Sequence, residues 1–200
     1  MGRGVAEKPW RPSKEQLAAA EGARVPDVIG PGLRVLFCGI NPGLYSGAVG
    51  HHFARPGNRF WRTLYLAGFT ERMLSPFEER TLLDHRLGIT NLVERSTARA
   101  DQLHPDELRN GAVRLRRKAC RTDPAIVAVL GLSAFRVAFG EAGAEVGPQP
   151  ETICRSRAWL LPNPSGLNAH YQVAELAAVF GELRAAVQAA ALSRGLPAPG

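Results

Sequence analysis

The sequence predicts an α/β protein: three layers, α/β/α, built on a central, mostly parallel sheet of four strands. Short apolar runs recur at about 33–39, 87–93, 125–131 and 157–161, each the length of a buried strand. Helix-period stretches at about 57–68, 106–121, 133–140 and 171–190 separate them, and that alternation is the pattern of a parallel sheet with helices on both faces. Two of the runs end abruptly in polar turns: Val35-Leu36-Phe37-Cys38 stops at Gly39-Ile40-Asn41-Pro42-Gly43, and Trp159-Leu160-Leu161 at Pro162-Asn163-Pro164-Ser165-Gly166-Leu167-Asn168. Open α/β sheets gather ligands at the carboxyl ends of their strands, so both turns are site candidates and could meet across one cleft.

Residues 1–30 begin basic, contain Pro9, Pro12 and Pro26, and carry one short helix signal, with Ser13 as N-cap and Gln16 three positions on. They read as a flexible basic arm, simple disorder being weighed above a grip on a polyanionic partner. A single domain is expected over 31–190, followed by a disordered tail at 191–200. In the last helix, Leu176, Val179, Phe180 and Leu183 form one apolar stripe while Glu182 and Arg184 face water. Arg114, Arg116, Arg117, Lys118 and Arg121 cluster on an earlier helix and read as a solvated face rather than a footprint.

Two hundred residues suffice for one sizeable core, and 45% hydrophobic content is ordinary for a soluble domain. Lys and Arg total 25 against 18 Asp and Glu, a formal charge of +7 that suits a polyanionic partner as well as it suits mere solubility. Cys38, Cys120 and Cys154 are too few and too scattered for a disulfide framework, which points to a reducing, cytoplasmic setting. Their spacing also argues against zinc or a four-cysteine iron–sulfur cluster, so no metal is expected. There is no Walker or Gly-x-Gly-x-x-Gly loop, and no cofactor is expected. No stretch is apolar enough to span a bilayer.

Gly39-Ile40-Asn41-Pro42-Gly43, then Gly50-His51-His52-Phe53 leading into Pro56-Gly57-Asn58-Arg59-Phe60-Trp61, and finally Asn163-Pro164-Ser165-Gly166-Leu167, occur in order and at compatible spacing. Together they resemble the mismatch-specific uracil/thymine DNA glycosylases, over about residues 31–187. The resemblance implies the fold of that group and an enzyme that flips a uracil out of a G·U-type mismatch in double-stranded DNA and hydrolyses its N-glycosidic bond. A monomer that meets the nucleoid through DNA would follow.

Residue by residue, the resemblance implies that Asn41 holds the attacking water. An amide orients water but cannot take its proton, so catalysis would lean on stabilising the departing base and an oxocarbenium-like sugar. Without its context, Asn41 would read as a turn residue before Pro42. Phe53 matches the position whose ring stacks on the flipped base, or is simply core. The N–H groups of Ile40 and Phe53 would meet the pyrimidine oxygens, with Ser46 near its 5-position. His51 and His52 could shape the pocket or contact phosphate, His52 ranking slightly higher.

Asn91, at the end of the second run, offers a donor and an acceptor to a pyrimidine edge, or caps the strand. Asn163, Pro164, Ser165, Gly166, Leu167 and Asn168 resemble an intercalation loop, with Leu167 as the wedge. Ala169 stands where bacterial relatives have Arg. Arg55 and Arg59 lie near the cleft and are phosphate candidates. Lys8, Lys14 and Lys118 are the only lysines and all lie outside the motifs, which disfavours Schiff-base chemistry. The rival readings are a hydrolase or transferase of free nucleosides and a catalytically silent nucleic-acid-binding domain.

Overall fold

In a computed structural model, which describes residues 11–166 and 171–193, the chain forms one twisted sheet with helices on both faces. The four predicted strands are present as β1 (Val35–Gly39), β2 (Leu87–Asn91), β3 (Ile126–Leu130) and β5 (Ser156–Leu161), all mutually parallel. The expectation of four strands is corrected by β4 (Gly147–Ile153), which pairs antiparallel with β5 and gives the order β2-β1-β3-β5-β4. Pro148 and Pro150 hid it from the sequence reading. Proline is tolerated at a sheet edge, and the β4–β5 register shifts between Pro148 and Thr152.

Every residue of β1, β2 and β3 is buried, as the unbroken apolar runs require. Alternate side chains then feed two cores. Phe37, Ile89, Ala128 and Trp159 pack with Phe60 and Leu64 of α3 (Phe60–Leu66) and with Phe180 and Leu183 of α6 (Val173–Ser193). Leu36, Cys38, Val127, Val129 and Leu160 face α4 (Pro105–Thr122) and α5 (Leu132–Phe139) through Leu115, Ala119 and Phe135. Phe37 is the hub of the first core, edge-on to Phe60 at 5.5 Å and stacked on Phe180 at 6.0 Å. The stripe expected on α6 is the buried one, with Val179 at its margin.

The arm expected over 1–30 is corrected for its second half. Ser13 and Gln16 do close a capping box on α1 (Lys14–Ala19), but the segment then docks on the domain. Ala20, Val25 and Val28 are buried, and Val28 exchanges both backbone hydrogen bonds with Ile89, at 2.9 and 2.8 Å. These buried apolar residues fall at irregular spacing, and backbone hydrogen bonds to Ser96 and Ile89 add to them, which leaves no periodic pattern to read in the sequence. Residues 1–10 and 194–200 lie outside the described residues.

Two other expectations change. Cys120 and Cys154 form a disulfide with Cα atoms 5.4 Å apart, because the β4–β5 hairpin folds back against the end of α4. The cysteine argument for a reducing compartment therefore falls. The basic stretch of α4 is only partly a solvated face: Arg116, Arg117 and Arg121 are exposed, whereas Arg114 donates to the Leu92 carbonyl at 3.0 Å and Lys118 sits 2.8 Å from Asp27, largely covered. Among the described residues no helix is long and apolar enough to cross a membrane.

Two glycines in helices give a sharp test of packing. At Gly111 of α4 a Cβ would lie 2.5 Å from the Leu92 carbonyl oxygen, whereas at Gly181 of α6 nothing stands within 4 Å. Gly181→Ala should stabilise the protein by about 0.5–1 kcal/mol through helix propensity. Gly111→Ala should instead cost about 1–3 kcal/mol, because the helix must shift off Leu92. Urea denaturation of the two variants beside the parent reads both signs.

Candidate active site

The carboxyl ends of β1, β2, β3 and β5 open into a cleft of about 670 Å³. Ile40, Asn41, Ser46, His52, Phe53, Arg55, Asn91, Asn163 and Ser165 all line it, so the two polar turns do meet. Pro164 and Gly166 stand behind the lining rather than in it. Leu167, Asn168 and Ala169 lie outside the described residues.

Asn41 is held by its nitrogen. Nδ2 donates to the Arg95 carbonyl at 3.1 Å and to Thr97 Oγ1 at 2.7 Å, and the Thr97 hydroxyl donates onward to the Arg99 carbonyl at 2.8 Å. Both amide hydrogens are thus consumed, which fixes Oδ1 as the acceptor left for the cleft. Arg95 is itself clamped by Glu107 through bonds of 2.6 and 2.8 Å, and that guanidinium holds the Glu107 carboxyl down to about 2. Glu107 also accepts the His104 N–H that opens α4, so one carboxylate joins a helix start to the carbonyl that orients Asn41.

At the end of β1, Gly39 pairs with Asn91 across the sheet, and a Cβ on Gly39 would strike Asn91 Oδ1 and come within 3.2 Å of the Phe53 ring. Phe53 rests one ring face on Phe60 at 4.1 Å and adopts φ +52, a left-handed backbone that costs an aromatic residue about 1–3 kcal/mol. Ser46 Oγ accepts the Ala54 N–H at 3.1 Å and so braces the turn.

His52 is buried and lines the cleft, while His51 turns away to Phe77 and Glu79. Glu79 is the residue that sequence reasoning missed. Buried in the 3₁₀ segment Pro76–Leu83, it accepts the His52 N–H at 2.8 Å and meets His51 Nδ1 at 2.9 Å. Nothing in the local pattern marks it apart from its neighbour Glu78, which is spent on capping its own turn and pairing with Arg72. Thr97 was also unassigned, although it sits in the stretch that follows β2.

Arg55 is exposed at the rim, as a phosphate candidate requires, but Arg59 is corrected. Its guanidinium donates to the carbonyls of Ser165 and Tyr171, and its N–H to the Pro164 carbonyl at 3.0 Å. Arg59 is a staple that joins both ends of the loop, not a free cation. Asn163 Oδ1 accepts the Ser165 N–H at 3.0 Å, and a Cβ at Gly166 would lie 2.7 Å from the Gly57 carbonyl. Gly166 thus lies close against the protein's own backbone at Gly57.

The family model of the uracil DNA glycosylase superfamily matches residues 26–186. Among solved structures, the chain is similar to a solution structure from Methanosarcina acetivorans, provisionally described as a uracil DNA glycosylase, at 18% identity and a TM-score of 0.56. The likeness covers 82% of this chain and 98% of that one, and at such identity it speaks for the shared fold. With the family model spanning the sheet, the cleft and the loop after β5, the chain belongs to the uracil DNA glycosylase superfamily.

Proposed function

We propose that this protein is a monofunctional, mismatch-directed DNA glycosylase that removes uracil, and related pyrimidine lesions or thymine, from G·U-type mismatches in double-stranded DNA. The observation that carries the reading is Asn41, whose amide hydrogens are both spent on Arg95 and Thr97 so that Oδ1 faces the cleft as a fixed acceptor. A water donating to that oxygen presents its lone pair to the anomeric carbon of an extruded nucleotide.

In this reaction the C1′–N1 bond breaks with its electron pair leaving on the base, water adds to the resulting oxocarbenium-like sugar, and the proton the water sheds passes to solvent, from which the base anion is neutralised. Asn41 takes no proton, so stabilisation of the departing anion by backbone N–H groups near Ile40 and Phe53 supplies the drive. Asp101 also lines the rim, but it is exposed and paired with Arg99, which keeps it from serving as the base. Lys118 is paired with Asp27 away from the cleft, and Lys14 lies on α1, which supports hydrolysis without strand cleavage.

Phe53, braced by Phe60, offers its ring to the flipped base, Asn91 reads its edge, and Arg55 meets a phosphate. Leu167 serves as the wedge, on a loop whose flanks Arg59 ties together. The protein acts as a monomer on DNA in the cytoplasm and needs no metal or cofactor.

A duplex with a single G·U pair, treated with alkali to reveal abasic sites and run beside free deoxyuridine, separates this reading from a nucleoside hydrolase and from a silent binding domain. Release from DNA alone is expected. Asn41→Ala should then lower single-turnover release by about 100-fold or more while duplex affinity stays within about threefold, since the wedge and phosphate contacts remain. Thr97→Val, which removes one of the two holders, should cost about tenfold. Undiminished release by the Asn41 variant would remove it from the mechanism.

Arg59→Ala should loosen both ends of the loop and slow excision from a duplex several-fold more than from single-stranded DNA, where there is no stack to open. Equal losses on the two substrates would assign Arg59 to folding alone.

A further inference from the structure

The hydrogen-bond chain behind Asn91 is determined by chemistry at its far end. His52 Nε2 lies 2.9 Å from the Pro26 carbonyl oxygen, which can only accept, so Nε2 carries the proton. A neutral ring protonated there exposes a lone pair at Nδ1. That atom is 3.3 Å from Asn91 Nδ2, which must be the donor. The amide of Asn91 is therefore locked with nitrogen toward His52 and oxygen above Gly39, on the wall of the cleft.

We propose that His52 is a specificity-determining residue: by fixing the amide of Asn91 it makes the cleft accept keto pyrimidines such as uracil and thymine and reject cytosine. This rests on the glycosylase reading and deepens it. Uracil and thymine carry a donor at N3 and an acceptor at O4, which match Asn91 Oδ1 and the second hydrogen on Nδ2. Cytosine carries an acceptor at N3 and a donor at N4, and is opposed at both positions. Turning the amide over would suit cytosine, but it would set Oδ1 against the Nδ1 lone pair.

The surroundings keep the ring in this state. Burial pushes the His52 pKa below the ordinary histidine range, helped by His51 and resisted by Glu79, by the bond to Pro26 and by Asp27. Glu79 spends Oε2 on the His52 N–H, and so anchors the backbone from which the ring projects. The N-terminal segment thereby enters the specificity apparatus, since Pro26 supplies the carbonyl that decides the tautomer.

The test compares single-turnover excision of 5-fluorouracil and 5-fluorocytosine, each placed opposite guanine, because fluorine makes both bases competent leaving groups. The pairing cost of each substrate is common to every variant, so a change in the ratio of rates reports the cleft. His52→Leu should lower the uracil-to-cytosine ratio about tenfold, the discrimination carried by one well-made contact. His52→Asn, whose Oδ1 falls where the ring carries Nδ1, should restore most of it. An equal fall on both substrates would overturn the proposal.

A second measurement needs no variant: long-range proton–nitrogen correlation of the imidazole should find His52 protonated at Nε2 and bare at Nδ1. The Nδ1–H form would overturn this inference alone. No uracil release by the parent enzyme from a G·U duplex would overturn the glycosylase reading, and this substrate assignment with it.

Discussion

The parallel pairing of β1 with β2 does not stop where the sheet does, and the cleft depends on that continuation. Beyond the Gly39 and Asn91 pair, Leu92 and Val93 donate to the carbonyls of Gly39 and Ile40, and Thr97 donates to that of Pro42. The two chains stay zipped through residues that line the cleft. Asn41 and Thr97 consequently arrive face to face although 56 positions separate them. A shift of one residue in this register would send Asn91 to the opposite face of the sheet and leave Asn41 with neither holder.

Polar groups around this zipper are buried in satisfied sets, which is what gives them fixed directions. Glu79 and Glu107 play parallel parts, each binding a backbone N–H and a basic side chain, with Arg95 meeting both oxygens of Glu107. Glu79 is buried, so removal of one of its partners would leave a desolvated charge, whereas Glu107 is partly exposed. Orientation at Asn41 and at Asn91 thus comes from groups that touch no substrate. Rigid placement of this kind is what the proposed reaction, without a proton-accepting base, would require.

Much of this was legible in the sequence, for reasons that particular residues make plain. The four parallel strands announced themselves because they are almost wholly buried and hence nearly uninterrupted, as in Ile126-Val127-Ala128-Val129-Leu130. Asn41, Asn91 and Phe53 were found because they sit at strand ends or in a motif with a known likeness. Glu79 and Pro26 were not, since the two contacts of the one and the single contact of the other are made by the tertiary fold and leave no periodic trace. Arg59 was misjudged for the same reason: charge and proximity were visible, but the carbonyls of Ser165 and Tyr171 that absorb it were not. The strand β4, broken by two prolines, fell below any alternation test.

That same awkward strand has a bearing on how the molecule behaves in company. A sheet is open to strand addition only at its two margins, and here each is spoiled by a different device. Along β4 two prolines withdraw N–H donors and the register slips, while along β2 the antiparallel bridge from Val28 already occupies the pairing positions around Ile89. Among the described residues, a neighbouring copy finds only an interrupted ladder at either margin. The polypeptide can therefore crowd along a long polyanion at high local density without its sheets fusing into one another.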